Sequence, residues 1–229
     1  MLVHTHIPKT GGTTLNYLLK TAFGWGFRQI LPAVEPRSYD DLVPGVDNVR
    51  RLADIRVRAM DKCLSSHWLF VEDSAETYIL CYRDPFKRLV SDFAHKAELL
   101  GKLPDIDAFL RPRRALQFDF MCGLVGIERF KDMVRDGRVI AIRTESLNED
   151  LTALGAHDFQ HQENAAKGRR FYDEARAMVQ QNVPVGNLAQ DTELVRWLDE
   201  NRELAFRPLR TAQKPALYRL AVARRCLRF

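Results

Sequence analysis

The N-terminal stretch constrains the fold of this chain more than any other. A short apolar run, Leu2–Ile7, stops at Pro8. Six small or polar residues follow at once: Lys9, Thr10, Gly11, Gly12, Thr13 and Thr14. Apolar residues then recur at helical spacing, at Leu15, Leu18, Leu19, Ala22 and Phe23. The pattern predicts a strand, a glycine-bearing loop and a helix, which is the repeating unit of α/β folds.

The loop between this strand and helix has the composition of an anion site. Two adjacent glycines let the backbone approach a ligand closely, and the helix N-terminus directs N–H groups at it. We expect Thr13 or Thr14 to cap the helix, and Lys9 to add a positive charge. The alternative is an ordinary βα turn that happens to contain lysine and threonine. The composition favours a phosphate or sulfate cradle.

Two common nucleotide-binding motifs do not fit this loop. A Walker A loop places its lysine after the glycines, whereas Lys9 precedes Gly11 and Gly12. No Gly-x-Gly-x-x-Gly follows the strand, which argues against a dinucleotide fold of the usual kind.

Composition indicates a single α/β domain with a basic extension. The chain has 229 residues, of which 46% are hydrophobic and 28% charged, as in ordinary globular proteins. We expect one domain over residues 1–206 and a basic tail over 207–229. That tail carries seven basic and no acidic residues, so the net charge of +5 becomes 5 − 7 = −2 for the rest. A general nucleic-acid-binding face is therefore not indicated.

Localisation and cysteine chemistry are also predicted from composition. Neither a 20-residue apolar run nor a signal peptide is evident, so we expect a cytoplasmic protein, or a Golgi-lumenal one if the chain is an excised domain. Four cysteines lie scattered without Cys-x-x-Cys spacing. We expect all four to be reduced, Cys81 to be a core residue, and no metal to be bound.

The remaining elements are predicted from periodicity. Short apolar runs predict strands at Leu2–Ile7, Cys63–Ser66, Thr77–Tyr82 and Val139–Ile142. Longer patterns predict helices at Thr13–Phe23, Pro85–Leu100, Asp105–Leu110, Ala115–Val125, Glu145–Leu154, Phe171–Gln181 and Asp191–Leu204. Residues 24–61 are not assigned. Strands alternating with helices predict a central parallel sheet flanked by helices in three layers.

A second motif follows the strand Thr77–Tyr82. Arg83 ends this strand, Pro85 begins the next helix, and Ser91 lies roughly two turns along it. Arg83 can bind a phosphate through two nitrogens, and Ser91 can donate to the same group. Alternatively, Arg83 pairs with a carboxylate and Ser91 is a surface serine. Arg88 is expected in structural pairing.

These two motifs resemble those of the carbohydrate sulfotransferases, most closely the heparan and chondroitin/dermatan O-sulfotransferase branch with its bacterial relatives. The loop of residues 6–14 resembles their 5′-phosphosulfate loop, and Arg-Asp-Pro-x-x-Arg-x-x-Ser resembles their 3′-phosphate motif. The resemblance extends over about residues 2–172. It implies a P-loop-like fold and sulfuryl transfer from 3′-phosphoadenosine-5′-phosphosulfate (PAPS) to a carbohydrate hydroxyl, with adenosine 3′,5′-bisphosphate (PAP) as product. It assigns the 5′-phosphosulfate to Lys9–Thr14 and the 3′-phosphate to Arg83 and Ser91.

A third, looser motif is the basic loop preceding the helix at Phe171. Lys167, Gly168 and Arg169 offer two cations and a close backbone approach. Several sulfotransferases close a similar loop over the 3′-phosphate and adenine. A solvated basic loop is the alternative.

Three histidines lie near the proposed cradle. His67 follows the strand Cys63–Ser66, at the same sheet edge as Lys9 and Arg83. A lone histidine beside aromatics is usually a packed residue, but the resemblance implies that His67 is the catalytic base. His4 and His6 share a strand face, and sheet packing is the better interpretation because further metal ligands are not evident.

Two other classes of function stay open on the sequence. A nucleotide kinase would use the same strand–loop–helix arrangement, although the loop order and the absence of a Mg²⁺-binding carboxylate strand count against it. A non-catalytic glycan or membrane-surface binder would use the tail, where Tyr218, Leu220, Ala221 and Leu227 alternate with arginines. The basic tail suggests at most weak membrane-surface contact.

Overall fold

The central feature of the fold is a five-stranded sheet. The computed structural model describes residues 1–30, 56, 58–67, 77–110, 116–122, 125–153 and 169–206. The strands are β1 (Leu2–Thr5), β2 (Phe27–Gln29), β3 (Cys63–Ser66), β4 (Thr77–Tyr82) and β5 (Val139–Arg143). Every pairing is parallel, and the order across the sheet is β2-β3-β1-β4-β5.

Helices connect these strands. In the described residues the α-helices are α1 (Gly12–Phe23), α2 (Pro85–Leu100), α3 (Ile106–Leu110), α4 (Gln117–Cys122), α5 (Ile127–Arg135), α6 (Leu147–Ala153), α7 (Arg169–Asn182), α8 (Ala189–Glu200) and α9 (Arg202–Ala205). Short 3₁₀ turns lie at Gly24–Gly26, Thr144–Ser146 and Val185–Leu188.

Side chains from alternate strand positions build a core on each face of the sheet. On one face, Val3, Leu64 and Leu80 belong to a cluster that includes residues of α4, α5 and α8. On the other face, Ile79 and Cys81 pack with α1 residues. Because strands covered on both faces are apolar at nearly every position, they appear in the sequence as continuous apolar runs. The predicted three-layer α/β architecture is confirmed.

The parallel sheet also fixes where functional groups meet. Strand β1 pairs with β3 on one side and with β4 on the other, and β4 pairs with β5. All carboxyl ends of parallel strands lie at one edge, where open α/β sheets bind ligands. The segments that follow β1, β3, β4 and β5 are therefore neighbours at that edge.

Most predicted elements agree with the structure to within a few residues. The ranges Cys63–Ser66, Thr77–Tyr82 and Pro85–Leu100 agree fully. The predicted helix Asp191–Leu204 is interrupted at Asn201, which separates α8 from α9. The predicted helix Glu145–Leu154 starts as the 3₁₀ turn Thr144–Ser146 before α6.

Other expectations need correction. The helix cap predicted at Thr13 or Thr14 is wrong: Gly11 is the N-cap residue, with φ 84°, and no side chain caps the helix. Strand β2 lies in the segment left unassigned. Helix α5 was not predicted, although Phe130, Met133 and Val134 supply its buried face.

Cysteine and membrane expectations can be examined over the described residues. Cys63, Cys81 and Cys122 are buried and free, and Cys81 is a core residue of β4 as predicted. Over the same residues no helix is both long and apolar enough to cross a membrane. The tail, 207–229, lies outside the described residues.

Candidate functional site

The loop after β1 is held by hydrogen bonds to its carbonyl groups. The Thr10 hydroxyl donates to the Ile7 carbonyl at 2.9 Å. The Arg88 Nε donates to the Pro8 carbonyl at 3.1 Å from α2. Because Arg88 is only 5% exposed, this bond lies in the interior, which confirms the expected structural role of Arg88.

The next two carbonyls of the loop are bound by other elements. The Arg83 Nη1, following β4, donates to the Lys9 carbonyl at 3.2 Å. The Thr144 hydroxyl, following β5, lies 2.6 Å from the Thr10 carbonyl and 2.8 Å from the Tyr82 carbonyl. Four consecutive carbonyls therefore have donors supplied by surrounding side chains.

The backbone N–H groups that follow these carbonyls are the second feature of the loop. Within the described residues, the N–H groups of Gly11–Thr14 have no hydrogen-bond acceptor. The backbone is left-handed at Lys9, with φ 65°, and at Gly11. Consecutive N–H groups in such turns form a concave anion-binding nest, and here the nest opens at the start of α1. The loop therefore has the backbone arrangement of an anion cradle.

Two cations lie beside this cradle. Lys9 and Arg83 are close enough for the guanidinium to help lower the pKa of Lys9. Burial is the larger cause of that lowering, and the carboxylate of Asp92 opposes it. In the described part of the chain the Lys9 ammonium makes no ion pair within 4 Å. Juxtaposed cations of this kind are stabilised by a bound anion.

Arg83 is positioned through its backbone. Its N–H donates to Gln117 Oε1 at 2.8 Å, and Gln117 Nε2 donates back to the Arg83 carbonyl at 2.8 Å. Gln117 is in turn anchored because its N–H donates to Asp191 of α8. These two hydrogen bonds hold the backbone of Arg83 in place directly after β4.

The guanidinium of Arg83 retains binding capacity. Among the described residues its buried Nε has no hydrogen-bond partner, and the Glu145 Oε1 lies 4.0 Å away from it. Pairing of Arg83 with a carboxylate was the alternative interpretation, and Glu145 supplies only a long contact. The carboxylate of Glu145 also accepts from Arg143 Nε at 3.3 Å. An orphaned guanidinium nitrogen beside free amides favours an anionic ligand.

Ser91 lies in α2, one turn beyond Arg88. It is partly buried, and within the described residues its hydroxyl has no recorded hydrogen bond. Asp92, the next residue of the helix, acts on the pKa of Lys9, which places this part of α2 beside the loop. The location is compatible with a shared ligand for Ser91 and Arg83, a role that stays a prediction.

His67 lies at the neighbouring strand end. It directly follows β3, whose Ser66 carbonyl accepts the His6 N–H at 2.8 Å. The rings of His67 and His6 stack with centroids 4.5 Å apart and planes at 20°. Burial lowers the pKa of His67, and a backbone hydrogen bond with His6 opposes the change. The lowered pKa makes the imidazole neutral at pH 7, and among the described residues its buried Nδ1 has no hydrogen-bond partner.

Some predicted site residues cannot be placed. Lys167 and Gly168 lie outside the described residues. Arg169 begins α7, but its side chain also lies outside the described part. Among described residues no group of His, Cys, Asp or Glu has an arrangement that could hold a metal ion.

The site also contains residues that the motifs did not identify. Thr144, Glu145 and Gln117 hold the loop and Arg83 from β5 and α4. No local sequence signal distinguishes them, because each contacts residues more than 30 positions away. Asn16 was overlooked too, although it lies one turn after the loop.

The fold and this site define a class: a parallel α/β protein in which a glycine-bearing loop lies beside an arginine from the adjacent strand. A model of the sulfotransferase family matches residues 1–115, which contain the loop, His67, Arg83 and Ser91. This chain therefore belongs to the sulfotransferase family. No curated protein matches it significantly.

Proposed function

We propose that this chain is a PAPS-dependent O-sulfotransferase that acts on a hydroxyl of a carbohydrate or glycoconjugate. Family membership makes it a transferase of sulfuryl groups. The observation that carries the finer proposal is the loop itself. Side chains donate to the carbonyls of the loop, and Lys9 and Arg83 lie beside it. The amides that follow lack acceptors among the described residues.

The proposal assigns the donor to two anion subsites. Lys9 and the N–H groups of Gly11–Thr14 hold the 5′-phosphosulfate and stabilise the charge that develops on the departing phosphate. Arg83 and Ser91 hold the 3′-phosphate, which orients the donor. Lys167, Gly168 and Arg169 are proposed to close over this end.

His67 is the proposed general base. The acceptor oxygen attacks sulfur and forms a new S–O bond, while the S–O bond to the 5′-phosphate breaks. The acceptor proton passes to the His67 imidazole, and PAP leaves with the bonding electrons. A neutral imidazole at the sheet edge, directly after β3, suits this step.

The acceptor class is supported by the motifs rather than by a described pocket. The loop and Arg83 motifs resemble those of carbohydrate sulfotransferases, and the heparan/chondroitin branch is the proposed affiliation. The proposed compartment is the cytoplasm, and the proposed partners are small or polymeric glycans rather than nucleic acids. The basic tail is proposed to add weak membrane-surface contact at most.

Calorimetric titration with PAP, with ADP as the control, tests the donor site first. We expect micromolar binding of PAP, about −8 kcal/mol, and none of ADP, which lacks a 3′-phosphate. Arg83→Ala should abolish PAP binding. Arg135→Ala is the matched control, because it removes an exposed arginine at the end of α5. Equal binding of PAP and ADP would contradict the 3′-phosphate assignment.

Sulfuryl transfer is tested next with radiolabelled PAPS and a panel of desulfated polysaccharides and simple glycosides. His67→Ala should lower kcat about 10²–10⁴-fold while the PAP Kd stays unchanged. Lys9→Ala should weaken both turnover and PAP binding. Unchanged turnover in His67→Ala would remove His67 from the mechanism, and preference for ATP with Mg²⁺ would favour the kinase alternative.

A further inference from the structure

Three imidazole rings, including that of the proposed base, stack in a column. The rings of His4 and His6 stack with centroids 5.5 Å apart and planes at 18°. The ring of His67 stacks on the other side of His6 at 4.5 Å. His6 is therefore in contact with the proposed base, and the transfer mechanism above gives it no role.

Asn16, on α1, determines which nitrogens of this column carry protons. Its Oδ1 lies 2.6 Å from the Ser65 hydroxyl and 2.7 Å from His4 Nδ1. Because an amide oxygen only accepts, both groups donate to it. The Asn16 Nδ2 then lies 3.4 Å from His6 Nδ1, which must accept.

His4 of β1 and His6, which follows that strand, are consequently opposite tautomers. His4 carries its proton on Nδ1, and His6 carries its proton on Nε2. The orientation of one amide thus makes the Nδ1 of His6 an acceptor, so protonation there would break the hydrogen bond from Asn16. The arrangement keeps His6 neutral.

Packing leaves the His6 ring little freedom. A Cβ added to Gly12 would lie 2.1 Å from His6 Cδ2 and 2.7 Å from Nε2. The ring therefore fills the space that a side chain at position 12 would take, directly against the anion loop. It is confined between Gly12, Asn16 and the ring of His67.

We propose that His6 is a positioning residue for His67: a neutral imidazole, held as its Nε2–H tautomer by Asn16, whose face supports the His67 ring before and after proton transfer. This role rests on the proposed function, in which His67 accepts the proton. An imidazolium at His67 lying on a neutral aromatic face is favourable, whereas a second imidazolium at His6 would repel it.

The electrostatic surroundings agree with this arrangement. Burial lowers the pKa of His6 to about 2, and the titratable groups that contribute are His4 in β1 and His67 after β3. His4 is itself fully buried, with a pKa lowered to about 4. A positive charge on one ring of the column makes protonation of the others less favourable.

Long-range ¹H–¹⁵N correlation spectra of the full chain with ¹⁵N-labelled histidine test the tautomers without any acceptor. We expect His6 as the neutral Nε2–H form and His4 as the Nδ1–H form, each assigned with the corresponding His→Gln variant. The reversed pair of tautomers, or a charged His6 at neutral pH, would overturn the proposal.

Asn16→Asp then tests the coupling. An aspartate cannot donate to His6 Nδ1, so His6 should change tautomer and its pKa should rise, and charging it should lower the pKa of His67. Asn187→Asp is the matched control on an exposed 3₁₀ turn. Identical His67 titration curves in wild type and Asn16→Asp would overturn the proposal.

Two replacements of His6 separate support from simple space filling. His6→Phe keeps a flat neutral ring and should retain kcat to within a few-fold. His6→Leu should lower kcat about 10²-fold at unchanged PAP Kd, because the base is then misplaced. Equal losses in the two variants would overturn the proposal. Absent PAP binding in wild type would instead overturn the proposed function, while the spectra still decide the tautomers.

Discussion

At the scale of single residues, the tightest point of the site is Gly12. Its Cα faces the ring of His6 so closely that a Cβ would overlap the ring. We expect Gly12→Ala to displace either the loop or the imidazole, at a cost of about 1–3 kcal/mol in unfolding free energy, and to weaken PAP binding. Thermal unfolding and calorimetry measure both effects.

The control for this change is another glycine in an open position. Gly186 has nothing within 4 Å of an added Cβ, so Gly186→Ala should leave Tm and PAP affinity nearly unchanged. A second substitution, His6→Ser, should restore stability to Gly12→Ala by making room. If Gly12→Ala alone matched Gly186→Ala, the close packing of His6 against the loop would be refuted.

At the scale of elements, strand β1 and the residue just after it make the fold sensitive to acid. In the unfolded chain His4 and His6 protonate near pH 6.5, whereas folding lowers their pKa values to about 4 and about 2. The unfolded state therefore binds more protons below pH 6.5, and the free energy of unfolding decreases as the pH is lowered. The loss at about pH 5 is about 2 kcal/mol for each histidine.

Urea unfolding at about pH 7.5 and about pH 5 measures this loss. The stability lost through His4 begins to appear below pH 6.5 and stops growing near its folded pKa of about 4. His6→Phe removes one of these groups and should reduce the difference between the two pH values by about 2 kcal/mol. Equal acid sensitivity in wild type and His6→Phe would contradict burial of a neutral His6.

Strand β5 contributes to the site through the residue that follows it. Thr144→Val removes the hydroxyl that lies within hydrogen-bond distance of the carbonyls of Thr10 and Tyr82 and can donate to one of them at a time. Because a part-buried carbonyl then loses its donor, we expect about 1–3 kcal/mol lower unfolding free energy and weaker PAP binding. Thr152→Val removes an exposed hydroxyl bonded to the Asn148 carbonyl and should change neither. Thr144→Ser should behave as wild type.

The features that could be predicted from the sequence depend on consecutive residues. Those that could not be predicted depend on contacts between residues distant in the chain. Strand β4 was predictable because it is buried on both faces and so is apolar throughout. The cradle at Lys9 and Gly11 was predictable because its parts are consecutive. Thr144 and Gln117 were not, since their partners are distant in the chain and hydroxyl and amide side chains are common on surfaces.

The helix cap illustrates a local error. Threonines at the start of α1 favoured a side-chain cap, yet Gly11 occupies that position and leaves the first amides without an acceptor. A cap would have competed with the proposed anion for the same N–H groups. The uncapped helix end is less stable than a capped one, and its amides are available for the proposed anion.

At the scale of the whole molecule, the segment matched by the family model lacks part of the sheet. Residues 1–115 contain the strands up to β4 but not β5, which pairs along the far edge of β4. We expect the isolated fragment 1–115 to lack cooperative unfolding and to bind no PAP. Circular dichroism melting and calorimetry test this, and a sigmoidal melt with PAP binding would contradict it.

The dependence of the loop on Thr144 also has a consequence for biosynthesis. During translation the glycine loop is made first, Arg83 follows, and the hydroxyl that bonds the Thr10 carbonyl is made last. Under the proposed function, the nucleotide cannot assist the earliest steps of chain collapse, because the loop that would hold it lacks the Thr144 hydroxyl until then. The proposed donor can therefore bind only after β5 has been made and has paired with β4.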